Sequence, residues 1–153
     1  MPKLIFNKPK IKSIVTTVGD QVIDIDEESK TMGLDSFSVA RLKKTIGLKQ
    51  RRVVSKGVCT SDLCVQSAEK IFESSIISRK EIECVLLVTQ TSDYIAPSSA
   101  IIIQDRLGLP ITTLAYDINL GCSGFIIGLL NAFSLIESGL KNCLLLVGDV
   151  SSN

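Results

Sequence analysis

Histidine is absent from all 153 residues of the chain. Any chemistry that the chain performs alone therefore lacks an imidazole base, and metal ligands would have to be thiolates and carboxylates. Aromatic residues are also scarce, at 5% of the chain against 45% hydrophobic residues. The hydrophobic core must therefore be built from isoleucine, leucine, valine and alanine.

A strong net charge, a leader sequence and a long apolar run are missing as well. The formal net charge of +1 creates no field that would attract nucleic acid or an anionic membrane. The opening residues lack the apolar centre of a signal peptide, and no apolar run reaches the roughly 18 residues that a membrane span needs. We therefore expect a cytoplasmic protein that binds neither nucleic acid nor membranes.

The cysteines are five in number and none is in C-x-x-C spacing: Cys59, Cys64, Cys84, Cys122 and Cys143. Their odd number and the lack of a secretory signal indicate reduced thiols rather than a disulfide framework or a zinc site. All but Cys122 fall within predicted strands or on amphipathic faces, which favours a place in the core.

Segments with strand-like and helix-like patterns alternate along the chain. Strands are predicted near Ile14–Val18, in RRVVS (51–55), and in the apolar runs CVLLV (84–88), TLAYDI (113–118) and NCLLLVGD (142–149). Helices are predicted in SFSVARLKKTIG (36–47), TSDLCVQSAEKIFESSI (60–76), PSSAIIIQDRLGLP (97–110) and FIIGLLNAFSLIESGL (125–140). Continuous apolar strands joined by helices predict an α/β fold, with a mostly parallel sheet flanked by helices. Without repeats or an interior linker, residues 1–153 have the size of one domain.

The ends of these helices carry recognisable signals. Gly47 and Gly108 are expected to end the first and third helices, and Pro97 suits the first turn of the third. Thr60 or Ser61 is expected to cap the second helix. The second helix also has an apolar stripe that predicts a core-facing side, formed by Cys64, Ala68, Ile71 and Phe72.

The last predicted helix is apolar on all sides. Its only charged residue is Glu137, shortly before Gly139. A helix that is hydrophobic all round is buried all round, and one sheet covers only one side of it. A second layer must therefore cover this helix, from another chain or from sequence outside these residues.

The stretch DINLGCSGF (117–125) places Cys122 between Gly121 and Gly124, where a strand gives way to this helix. At the carboxyl end of a parallel strand, a helix N-terminus favours a thiolate, which can attack a thioester. A backbone N–H beside it would then hold the oxyanion. Two other interpretations stay open at this point: a small residue buried in a tight turn, or a phosphate-binding turn that lacks the usual glycine spacing.

Four motifs together resemble the β-ketoacyl-acyl carrier protein synthase III family of the thiolase superfamily. They are IGLKQRRVV (46–54), TQTSDYIAPSSAIIIQDRLGL (89–109), DINLGCSGF (117–125) and LLLVGDVSS (144–152), in the family's order. The resemblance implies the amino-terminal half of a thiolase-like fold, with the nucleophile helix buried between two α/β halves. It also implies that Cys122 is the catalytic nucleophile and that the histidine and asparagine of the family's Cys-His-Asn triad lie in the other half.

The family's reaction follows from that assignment. Cys122 would accept an acyl group from a thioester, and malonyl-acyl carrier protein would then be decarboxylated and condensed with it. The resemblance implies no cofactor, because acyl-CoA and acyl carrier protein thioesters are the substrates. It implies a homodimer, a turn and oxyanion role for Gly121 and Gly124, and substrate-binding roles for three further residues: Phe125, Ile95 and Ala96.

Two departures from the family bear on its substrate. Arg41 stands where better-known members have a tryptophan that holds the CoA nucleotide, although a guanidinium can still stack on adenine. Ala96 stands where many members have a larger residue that reaches the partner's acyl pocket.

From the four motifs together, the leading hypothesis is an incomplete acyltransferase that is inactive in condensation when alone. The alternative is a non-catalytic partner subunit that dimerises with a full-length synthase.

Overall fold

A computed structural model describes residues 3–151, which form two compact units. The larger unit combines the residues up to Thr17 with Cys59–Ser151, and the smaller unit is Val18–Val58. Among the described residues, no helix has both the length and the apolar character needed to cross a membrane.

The smaller unit is an antiparallel two-stranded ribbon with two helices inserted between its strands. Its elements are β1 (Gln21–Asp24), α1 (Ile25–Thr31), α2 (Ser36–Ile46) and β2 (Gln50–Val53). The side chain of Asp35 caps α2 by accepting from the backbone of Ser38, and Gly47 ends the helix with φ of 74°. The predictions of a helix closed by Gly47 and of a strand in RRVVS are therefore confirmed.

The larger unit contains a parallel three-stranded sheet in the order β4-β3-β5. Its elements are α3 (Thr60–Glu73), a 3-10 turn (Arg79–Glu81), β3 (Cys84–Val88), α4 (Ser99–Arg106), β4 (Leu114–Ile118), α5 (Gly124–Glu137) and β5 (Cys143–Val147). The central strand β3 is buried throughout, which explains why its sequence is apolar without alternation.

Side chains of β3 alternate between two apolar layers. Val85 and Leu87 belong to the layer that includes buried residues of α3 and α4, whereas Cys84 and Leu86 pack with Ala132 of α5. Helices thus cover both faces of a parallel sheet, and the predicted α/β class is confirmed.

Three local predictions are wrong. The segment Ile14–Val18 is not a strand, although its β-branched residues favour one, because no described strand pairs with it; Ile14 is 77% exposed. Helix α3 is capped one residue earlier than predicted, by Cys59, whose N–H donates to the Asp62 carboxylate at 2.8 Å. Cys59 is also exposed, so it is not the core thiol that the sequence suggested. Pro97 precedes the cap of α4 instead of lying in its first turn, and its peptide bond with Ala96 is cis.

Helix α5 packs on the sheet through its smallest residues. Gly124, Gly128 and Ala132 are buried at four-residue spacing, so they form one face of the helix. On the other side, Phe125 is 47% and Ile126 is 63% exposed. The sheet therefore covers one face of this apolar helix, Phe6 packs edge-on against Phe133 further along it, and Phe125 and Ile126 at its start stay uncovered by the described residues.

Replacing Gly128 with alanine is expected to lower the free energy of unfolding by about 1–2 kcal/mol, despite alanine's higher helix propensity. A Cβ at this position would lie 2.6 Å from Cγ2 of Val88 and 2.9 Å from Cδ1 of Leu145, so the helix or the sheet must shift. Urea denaturation checks this. The matched control is Ser134→Ala on the exposed side of the same helix, which should change stability by less than about 0.5 kcal/mol. A Gly128→Ala variant as stable as the control would contradict the close packing.

Candidate active site

The Cys122 turn connects β4 to α5 at the carboxyl edge of the sheet. The N–H of Gly124 donates to the carbonyl of Gly121 at 2.7 Å, and the N–H of Ile127 donates to the carbonyl of Ser123 at 3.2 Å. This tight turn leaves the Cys122 side chain exposed immediately before the first turn of the helix. Gly121, Cys122, Gly124 and Phe125 lie on this turn and on the first residues of α5.

The two glycines of this turn lie close to side chains at and after the end of β3, and the buried Val88 leaves no room for a Cβ at Gly124. A Cβ at Gly121 would lie 2.4 Å from Oε1 of Gln90, and one at Gly124 would lie 2.4 Å from Cγ1 of Val88. Neither glycine is among those with positive φ, so left-handed backbone is not the reason for glycine here. Close contact with Val88, the last residue of β3, fixes the position of Gly124, whereas the exposed Gln90 side chain can move away from a Cβ at Gly121.

Asp117, the first residue of the DINLGCSGF motif, supports the neighbouring helix. Its carboxylate accepts hydrogen bonds from the N–H groups of Ser99 at 2.7 Å and Ala100 at 2.8 Å, both of which are fully buried. These are two of the N–H groups at the start of α4 that no backbone carbonyl of the helix can satisfy. The side chain of Ser98, which precedes them, makes no cap hydrogen bond. Asp117 therefore caps α4 from the adjacent strand.

Asp149, which follows β5, organises the loop after β3. One carboxylate oxygen accepts from the Thr89 hydroxyl at 2.9 Å, the Gln90 N–H at 2.6 Å and the Thr91 N–H at 3.2 Å. The hydroxyl of Thr91 lies 3.2 Å from the same oxygen. Asp149 thus fixes the backbone of this loop at Gln90, whose side chain reaches Gly121.

Two of the other thiols are poor nucleophiles because of their surroundings. Burial, followed by the negative charges of Asp93 and Asp149, raises the pKa of the Cys64 thiol to about 12, so it stays protonated at neutral pH. Cys59 is exposed, but partial desolvation and the nearby carboxylates of Asp93 and Asp62 raise its pKa. Neither thiol is therefore disposed to form a thiolate.

Cys84 and Cys143 lie in the apolar layer between the sheet and α5. Cys84 is fully buried, and the two thiols hydrogen-bond to each other, which lowers the pKa of Cys84 and raises that of Cys143. Of the five cysteines, Cys122 combines exposure with a position at the start of a long helix. The structure therefore favours Cys122 as the nucleophile.

The remaining predicted site residues are exposed. Ile95 and Ala96 lie on the loop between β3 and α4, where the Ile95 side chain is fully exposed. Arg41 lies on α2 of the smaller unit and is also exposed. Their substrate-binding roles stay predictions.

Gln90 and Asp149 are the residues that sequence reasoning missed. Each follows the carboxyl end of an apolar strand, in TQT and VGD respectively, and that position is the signal that would have identified them. Asp117 was recognised as part of a motif, but its capping role depends on the contact between β4 and α4, which the sequence does not display.

Comparisons with known proteins give a consistent result, although no protein-family model matches the chain. A β-ketoacyl-[acyl-carrier-protein] synthase III of Koribacter versatilis is 35% identical over 147 residues, which are 95% of this chain and 43% of the relative. One from Campylobacter jejuni is 35% identical over 143 residues, which are 92% of this chain and 43% of the relative. The crystal structure of a 3-oxoacyl-(acyl-carrier protein) synthase from Burkholderia xenovorans superposes with a TM-score of 0.83 at 34% identity, over 89% of this chain and 39% of that one.

The chain belongs to the β-ketoacyl-acyl carrier protein synthase III family. The resemblance that the four motifs indicate and the thiolase-like fold are thereby confirmed. The chain spans less than half the length of the synthase III relatives that it matches.

Proposed function

We propose that this chain is the amino-terminal half of a synthase III acyltransferase and that Cys122 accepts an acyl group from a thioester. The observation that carries this proposal is the position of Cys122: an exposed thiol in a tight turn, at the carboxyl edge of a parallel sheet, before the N-terminus of α5. The names of its relatives specify synthases that act with acyl carrier protein.

The first half-reaction uses groups that this chain contains. The Cys122 sulfur attacks the thioester carbonyl carbon and forms a tetrahedral intermediate, whose oxyanion a backbone N–H near the turn stabilises. Collapse of the intermediate breaks the bond to the leaving thiolate, which takes up the proton that Cys122 gave up.

The second half-reaction requires groups that this chain does not contain. Loss of carbon dioxide from a malonyl thioester yields an enolate, which attacks the acyl-Cys122 carbonyl, forms a carbon–carbon bond and releases the Cys122 thiolate. The family resemblance assigns stabilisation of the enolate to a histidine and an asparagine of the other half. Since these 153 residues contain no histidine, we propose that the chain alone accepts an acyl group but does not condense it. We further propose that it works as a homodimer with acyl carrier protein and either acyl-CoA or an acylated carrier protein.

The test is acyl transfer mapped to a peptide. The protein is incubated with acyl-CoA or acyl-acyl carrier protein, quenched in acid and digested with trypsin. Cys122 lies in the peptide 107–141, whereas Cys59 and Cys64 lie together in 57–70. We expect the acyl mass increment on 107–141 and no β-ketoacyl product when malonyl-acyl carrier protein is added to the chain alone. An increment confined to 57–70, or none with any thioester, would contradict the assignment of Cys122.

A further inference from the structure

Cys84 and Cys143 face each other across two neighbouring strands. They are direct register partners in the parallel pair of β3 and β5, so their side chains project to the same face of the sheet. Neighbouring strands lie about 4.8 Å apart, which is within the range of roughly 4.4–6.8 Å between Cα atoms that a disulfide spans. Both side chains lie in the apolar layer between the sheet and α5, so the two sulfurs face each other on the same side of the sheet.

The surroundings of this pair separate it from the other cysteines. Cys84 and Cys143 start their strands, whereas Cys122 follows the far end of β4, about 13 Å away along the strand direction. Cys84 is fully buried under α5, but Cys143 retains partial exposure. A small neutral oxidant therefore has access to one member of the pair, while a third cysteine has no direct approach to the buried one.

We propose that Cys84 and Cys143 are a redox-sensitive dithiol that forms a cross-strand disulfide on oxidation by peroxide. Hydrogen peroxide converts one thiol to a sulfenic acid and releases water. The sulfur of the second thiol then displaces the hydroxyl, which leaves as a second water while the S–S bond forms. Overall the two thiols lose two electrons and two protons, peroxide is reduced to two waters, and an excess of a small dithiol reverses the bond.

This disulfide would enclose the candidate active-site segment. The chain between Cys84 and Cys143 contains α4, β4, the Cys122 turn and all of α5. The bridge would also join β3, the central strand of the sheet, to β5, its neighbour on the side away from β4. Oxidation at the amino ends of the strands would thus link β3 and β5 covalently, and these are the two strands against which α5 packs.

The test is peptide mapping of the native protein after treatment with hydrogen peroxide and alkylation of the remaining thiols. Trypsin places Cys84 in the peptide 81–106, and Cys143 in a separate peptide that begins at Asn142. We expect these two peptides to be disulfide-linked, with loss of two of the five alkylatable thiols and their full recovery after dithiothreitol. In strong urea the same treatment should give mixed pairings among all five cysteines.

Two variants serve as controls for this experiment. Cys143→Ser should remove the linked product and leave Cys84 alkylatable, whereas Cys64→Ser, which changes another buried cysteine, should leave the linked product intact. The proposal is overturned if both peptides stay alkylated at a peroxide dose that oxidises Cys122. It is also overturned if native and urea-treated protein give the same distribution of pairings, because the fold would then have no part in selecting this pair.

Discussion

Replacing Cys122 with serine is expected to abolish acylation of the peptide 107–141 and to lower the acyl-transfer rate by a factor on the order of 10⁴–10⁶. Serine preserves the size of the side chain and the tight turn between Gly121 and Gly124. Its hydroxyl, however, has a much higher pKa than a thiol and is a far weaker nucleophile without a neighbouring base. No histidine of this chain could act as that base.

The matched control is Cys59→Ser, which changes the other exposed cysteine. Cys59 caps α3 through its backbone N–H, which the serine variant retains, so the acyl-transfer rate should stay close to that of the unmodified protein. Single-turnover kinetics with a chromogenic acyl thioester would measure both rates. Equal losses in the two variants, or full activity in Cys122→Ser, would refute Cys122 as the acyl acceptor.

The Asp117→Ala variant is expected to lose about 2–4 kcal/mol of unfolding free energy. Its carboxylate accepts from the N–H groups of Ser99 and Ala100, and both residues are fully buried. Without the carboxylate, these two donors have no partner at the start of α4, and the favourable charge at the helix N-terminus is lost as well. The loss should be visible in urea denaturation and as faster amide hydrogen exchange at Ser99 and Ala100.

Two further substitutions make this result specific. Asp105→Ala removes an exposed carboxylate from α4 itself and should change stability by less than about 0.5 kcal/mol. Asp117→Asn retains one oxygen acceptor and should fall between alanine and the unmodified protein. If Asp117→Ala and Asp105→Ala cost the same, the capping role of Asp117 is wrong.

The sequence predicted the elements of the larger unit well where a strand is fully buried. CVLLV corresponds to β3, which is apolar at every position because it is covered on both faces, and the strand-like runs around LAYDI and CLLLV correspond to the only partly buried β4 and β5. Prediction failed at Ile14–Val18, where β-branched residues favour a strand but ladder formation depends on a partner. It also misplaced the start of α3 by one residue, although the carboxylate of Asp62, three positions after Cys59, accepts from the Cys59 N–H and is a signal for that cap.

The motif was sufficient to locate the candidate nucleophile, but it did not explain why glycine is needed beside it. Glycines beside a cysteine are expected to allow a sharp turn, whereas Gly124 is required because the buried side chain of Val88 occupies the space that a Cβ would fill. That contact joins residues more than 30 positions apart in the chain. No local pattern reports it.

Residue order was sufficient to establish the α/β class, the absence of an imidazole base, and a thiol placed where a strand meets an apolar helix, because these depend on composition and on periodicity along one segment. The tertiary structure decided which residues support that thiol. Asp117 caps a helix that precedes it in the chain, Asp149 holds a loop 60 residues earlier, and Cys84 meets Cys143 across two strands. Each of these relations depends on the order and register of strands in the sheet, which is set by long-range packing rather than by local propensity.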